Sequence, residues 1–356
     1  MILSSSRVDQ AIDGDRGGAF VKDIVLARPR GASHRVPLAM VRKRAADGRT
    51  GDPLPTVASV LLVHGYGQNR YAWHLPSRSL SNYLASEGFD VFNLDLRGHG
   101  RSRHLGAHPP RDLADYVRED VPAAVEEVRK ISAERACFLV GHSLGGLIAY
   151  AAAPCVGALG GIVTIGSPYH FTRGSRFLSL VGWLMLTVDG TMSLGDATLP
   201  LRHAGEAMRL LRAFIESPLF PLPIRGYVPG SIEPRVLGEH MALAMDRGSI
   251  AVMRGMFLGA AAARASGHRL GVLHDYAPAF EALDVPLLVI AGSEDALAPP
   301  EAVRPGYERS SSSDKAFRVF PRGHIDLLVG RDAPLTVWPA VSSWLGARAR
   351  AAREVA

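Results

Sequence analysis

The stretch LVGHSLGGL, residues 139–147, decides the fold. An apolar run climbs to Val140, glycines at 141, 145 and 146 surround Ser143, and apolar residues resume at Leu147. Read outward, FLVGHSLGGLIAY is a buried strand, a sharp turn opened by Gly141, and a helix that packs close to the strand because Gly145 and Gly146 leave room. The central residue of such a turn is held strained and exposed. It stands at a helix N-terminus on the C-terminal edge of a sheet, where ligands of open α/β sheets bind. Ser143 is therefore a candidate nucleophile, against the plainer reading of a hydroxyl in an ordinary strand-to-helix turn.

Further out, aliphatic runs recur, each followed by a Gly-rich turn and a stretch with helical spacing, which argues for a mostly parallel central sheet flanked by helices. The predicted strands are Val57 to Val63, Asp90 to Leu94, Ala136 to Val140, Gly161 to Ile165, Pro286 to Ala291 and Ala316 to Phe320. Helices are expected over Leu75 to Glu87, Asp112 to Ile131, Leu144 to Ala153 and Pro334 to Arg350. VKDIVLA and RVPLAMVRK, within residues 21–44, read as an antiparallel hairpin at the sheet edge. The rhythm breaks between Pro168 and Glu281, where Pro and Gly punctuate helical apolar stretches. The expected organisation is a loose tail over residues 1–18, a core over 19–167 and 282–350, a helical cap inserted between two strands over 168–281, and a tail over 351–356.

Composition excludes several classes. With 356 residues, 47% of them hydrophobic, the chain can bury a sizeable core. The net charge of +6 comes from arginines scattered among carboxylates, not from a basic stripe, so no nucleic-acid partner is expected. Cys137 and Cys155 make no disulfide framework and are expected reduced and buried. No CxxC or Cys/His cluster suggests a metal. The first 18 residues turn polar after three and lack the apolar core of a secretory signal, which points to the cytoplasm. FLSLVGWLMLTV, Phe177 to Val188, falls short of the roughly 20 residues that span a bilayer; it can bury itself in protein or touch a membrane surface.

A serine hydroxyl is a weak nucleophile at neutral pH and needs a base with a group to orient it. GSEDALAPP follows the strand PLLVIA and places Glu294 and Asp295 in the loop at that strand's C-terminal edge. PRGHIDLL follows AFRVF and places His324 in the next such loop, with Asp326 just beyond it. With Ser143, Asp295 and His324 in this order, the chain resembles the α/β-hydrolase superfamily from roughly Leu54 to Leu345. The resemblance implies that Ser143 attacks an acyl carbonyl, that His324 takes and returns the proton, and that Asp295 holds the imidazole tautomer. It favours Asp295 over Glu294 because the family's acid usually stands just before small, apolar and Pro residues.

An oxyanion hole needs two preorganised N–H groups. The backbone N–H of Leu144, directly after the nucleophile, is one; by resemblance the residue after HG in LVHGYGQNR, Tyr66, supplies the other. His64 is read as a loop-shaping histidine, and His142 and His99 as structural. Leu75 to Arg103 is similar to the acid-lipase branch of the superfamily, a hint of lipid-like or acyl substrates. Phe177, Trp183, Leu184, Met185, Met253 and Met256 are candidates to line an apolar acyl pocket, and the lid could contact lipid. The resemblance implies a cofactor-free ester hydrolase acting on a small-molecule ester or acyl substrate. Acyl transfer through the same acyl-enzyme and cofactor-free haloperoxidase chemistry are the alternatives.

Overall fold

Alternation along six short runs builds the sheet. The computed structural model describes residues 1–29, 36–132, 136–191, 197–217, 219–220, 225–267 and 275–354. In it the runs become β4 (Ser59–Val63), β5 (Asp90–Leu94), β6 (Cys137–His142), β7 (Gly161–Ile165), β8 (Leu287–Gly292) and β9 (Lys315–Phe320). Every neighbouring pair among these six is parallel. β4 to β8 are buried on both faces, as strands covered by helices on both sides must be. Successive residues serve opposite cores: Leu61, Leu139 and Val289 pack on one face, and Val60, Val140 and Ile290 on the other.

Three antiparallel strands extend one edge: β1 (Ile2–Asp13), β2 (Arg16–Ala27) and β3 (Leu38–Ala45). The sheet order is β1-β2-β3-β5-β4-β6-β7-β8-β9. The expected hairpin is β2 with β3; the turn between them lies partly outside the described residues. It is not the edge, because the segment expected as a loose tail pairs along β2 from Ile2↔Val25 to Asp13↔Arg16. A two-residue turn joins β1 to β2, with Gly14 at φ 56°, where glycine carries no steric cost.

Other expectations shift for physical reasons. The helix expected over Asp112 to Ile131 is interrupted by a wider π turn at Tyr116–Asp120. That turn brings Asp115, Glu119 and Asp120 around the buried guanidinium of Arg97. The last helix, Val337–Glu354, runs through residues expected as a tail. Cys137 is buried as expected, but Cys155 is exposed.

Between β7 and β8 the described chain is mostly helical. Arg176–Thr191, Leu201–Leu210, Pro234–Glu239 and Ile250–Ala265 are its main helical segments. Among the described residues no helix is long and apolar enough to cross a membrane.

Candidate active site

β6 ends at His142, and the helix Leu144–Ala152 starts two residues later, so Ser143 must turn the chain in a single step. It does so at φ 53° and ψ −121°, a backbone state that costs a non-glycine residue about 1–3 kcal/mol and persists only where the surroundings impose it. Here they do. The Ser143 N–H donates to the Ile165 carbonyl at 2.9 Å. Gly145 passes so close to β4 that a methyl group there would overlap the Val63 carbonyl oxygen. As the first helical residue, Leu144 has an N–H with no intrahelical acceptor.

Asp295 follows β8 and is buried, whereas its neighbour Glu294 is exposed. The Asp295 Oδ1 accepts the N–H groups of Leu297 and Ala298 at 2.9 and 2.7 Å, which fixes the carboxylate's orientation. Its Oδ2 lies 2.7 Å from His324 Nδ1. A carboxylate can only accept, so Nδ1 carries the proton and the neutral ring keeps a bare Nε2. Asp326 does not pair with His324; it accepts the Val228 N–H at 3.2 Å and the Ser231 hydroxyl, tying the segment before Pro234 to the histidine loop. Burial pushes its carboxyl up to about 6.

Two other histidines have structural places. His64 donates from Nδ1 to the Gly65 carbonyl at 3.0 Å and accepts the Leu96 N–H at Nε2, 3.2 Å away, leaving neither nitrogen for catalysis. His99 meets the Tyr116 hydroxyl at 3.0 Å. His142 does more than its reading as a structural residue anticipates. Its ring centroid lies 4.6 Å from that of His324, and its Nε2–H donates to the His324 carbonyl at 3.2 Å. Burial and the adjacent His324 hold it well below the usual histidine range, so it stays uncharged beside the catalytic candidate. Gln68, also missed, accepts the Gly65 N–H through Oε1 at 3.2 Å and meets His240 through Nε2 at 3.3 Å, linking the His-Gly loop to the cap. Neither role has a signal in a single sequence, because both depend on contacts across the fold.

Ser143, His324, Tyr66, Gln68 and His142 wall one cavity of about 340 Å³, whose remaining lining is largely apolar: Phe171, Leu178, Val181, Met253, Met256 and Phe257 among others. Met253 and Met256, expected in an acyl pocket, line this cavity. Trp183 and Met185 do not line the cavity; the helix Arg176–Thr191 turns Leu178 and Val181 inward instead, and Trp183 is 63% exposed. Tyr66 is anchored by its hydroxyl, which donates to the Ser249 carbonyl at 3.0 Å. Among the described residues no grouping of His, Cys, Asp and Glu could hold a metal ion.

A model of the alpha/beta hydrolase family matches residues 60–338. The chain belongs to this family. Over 286 residues, 80% of this chain and 87% of the other, it is 27% identical to a monoacylglycerol lipase of Mycolicibacterium smegmatis. A local match, 32% identical over 105 residues, is to epoxide hydrolase 3 of Xenopus tropicalis and covers 30% of this chain. The chain spans about a quarter of that relative's length, 24%. Among solved structures, the monoacylglycerol lipase of Paleococcus ferrophilus superposes with a TM-score of 0.55 at 19% identity, covering 87% of this chain and 99% of its own.

Proposed function

We propose that this member of the family is a serine hydrolase that cleaves carboxylic esters through an acyl-enzyme. The observation that carries the reading is the buried Asp295–His324 pair at 2.7 Å, with His324 and the strained Ser143 in the wall of one apolar cavity. His324 Nε2 takes the Ser143 hydroxyl proton as Oγ attacks the carbonyl. The tetrahedral oxyanion is received by the backbone N–H groups of Leu144 and Tyr66, and the imidazolium is stabilised by Asp295. His324 then protonates the departing alcohol, and water repeats the sequence to release the acid.

The apolar lining favours a medium or long acyl chain, in keeping with the name of the Mycolicibacterium relative. Chemistry separates this reading from epoxide opening. A serine that opened an epoxide would be left as an ether, with no carbonyl for water to attack, whereas an acyl-serine hydrolyses. On the outer side of the cap, Leu180, Trp183 and Leu184 form an exposed apolar strip suited to a lipid surface.

The test is a panel of p-nitrophenyl esters of graded chain length, with an emulsified acylglycerol alongside. Turnover should peak well beyond acetate, and Ser143→Ala should lose at least about a thousandfold. Trp183→Ser should slow the emulsion and spare the soluble esters. A strict acetate preference would overturn the acyl assignment, equal rates for Trp183→Ser on the emulsion would overturn the lipid contact, and failure of a fluorophosphonate to label Ser143 would overturn the nucleophile.

A further inference from the structure

A second cavity, of about 120 Å³, shares no lining residue with the one at Ser143. Its walls bring together Lys22, Lys43, Arg70 and Arg101, with His74 and Asn93. Lys22 on β2 and Lys43 on β3 are direct partners in the antiparallel register, so two ammonium groups leave the same face side by side. Like charges so placed destabilise a sheet unless something lies between them.

Among the described residues, none supplies that counter-charge to Lys43. Its side chain is buried, with 1% of the residue exposed, and its partners are neutral: Gln10 Oε1, Asn82 Oδ1 at 2.7 Å and the His74 ring at 3.2 Å. Among the described residues no carboxylate lies within 4.0 Å of it. Burial, with Lys22 and Arg70 nearby, holds the Lys43 ammonium well below the usual lysine range, the mark of a cation lacking an anion. Asp95 is already engaged by the Arg70 guanidinium and by the backbone N–H groups of Arg70 and Arg101. Asn93 keeps a buried Oδ1 with no hydrogen-bond partner, an acceptor in an otherwise donor-rich wall.

We propose that this cavity binds a small tetrahedral oxyanion of the phosphate class, either free phosphate or the headgroup of a phosphate monoester. Lys22, Arg70 and Arg101 donate to its oxygens, Lys43, whose hydrogens are taken by Gln10, Asn82 and His74, contributes its charge, and Asn93 Oδ1 accepts from its P–OH. The acceptor favours a hydrogen phosphate over a sulfate or carboxylate, which carry no proton to give at neutral pH. Arg101 is exposed and marks the open side, where a monoester's organic part would emerge. The site is independent of the chemistry at Ser143.

The full-length protein is melted in sodium phosphate, in sodium glycerol 3-phosphate and in sodium chloride at matched ionic strength. Either phosphate should raise the Tm by about 2–5 °C over chloride, since a ligand that binds only the folded state stabilises it. Lys22→Gln and Arg101→Gln, which leave the neutral contacts of Lys43 in place, should each abolish that difference. The larger shift identifies the source: glycerol phosphate for a monoester, inorganic phosphate for the free ion. No shift in the wild type, or one that persists in either variant as generic salt exclusion would, overturns the site.

Discussion

Asp295 and Glu294 are neighbours in the chain with opposite surroundings: one carboxylate is buried on three N–H donors, the other faces water. Only the buried one can dictate which nitrogen of His324 carries the proton. An amide in its place that kept its oxygen on the Leu297 and Ala298 N–H groups would turn its NH2 toward His324. The ring would then present Nε2–H to Ser143 and could not take its proton. Asp295→Asn is expected to lower kcat on a soluble ester by about 10³–10⁴, and Glu294→Gln to stay within about twofold. Steady-state kinetics on both variants checks this; an Asp295→Asn enzyme that retains a tenth of the activity would remove Asp295 from the proposed triad.

At the scale of elements, the loop that carries His324 is also a fastening for the cap. Asp326, two residues on, binds Val228 and Ser231, so the side chain that fastens the cap stands beside the one that would do the chemistry. Its carboxyl is raised from an unfolded value of 3.8 to about 6 in the folded protein, chiefly by burial. The folded state therefore binds the extra proton between those values. The contribution is fully present below pH 3.8 and is lost as pH rises through 6, by roughly 3 kcal/mol at most. Asp326→Asn keeps an acceptor for Val228 and does not ionise. In urea unfolding the wild type should lose stability relative to this variant between pH 4 and 7. A difference independent of pH would show that the charge is not held in the cap contact.

At the scale of the whole molecule, what the sequence discloses follows from how local each signal is. The turn at Ser143 is legible because glycines and apolar runs within nine residues enforce it, and Asp295 and His324 because each closes an apolar run. The inward face of Arg176–Thr191 is not legible: with Leu180, Trp183 and Leu184 as apolar as Leu178 and Val181, periodicity selects no side. The oxyanion cavity depends on the register of β2 against β3, which no local pattern fixes. The first strand is hidden for another reason. ILSSSRVDQAID is mostly exposed along its length, as an edge strand that resists further pairing must be, so it lacks the alternation that marks a half-buried strand. The Asp13-Gly14 pair was its one available signal.

That strand has work to do far from the chemistry. Asp13 pairs with the buried Arg78, which also holds Glu233 of the cap and the Val329 carbonyl beyond His324, while Gln10 meets Lys43. Deleting residues 1–15 would leave two buried cations short of a partner and open the apolar edge of β2. The expected result is a Tm lower by about 5 °C or more and light scattering that grows with concentration. β1 lies five strands from β6 in the sheet, roughly 24 Å at ordinary strand spacing, so kcat on a soluble ester below the melting transition should stay within about twofold. A truncated protein that stays folded and monomeric yet loses turnover would mean that the Arg78 bridge, not the edge, is what the strand supports. Restoring the missing carboxylate with free acetate would then recover part of the rate.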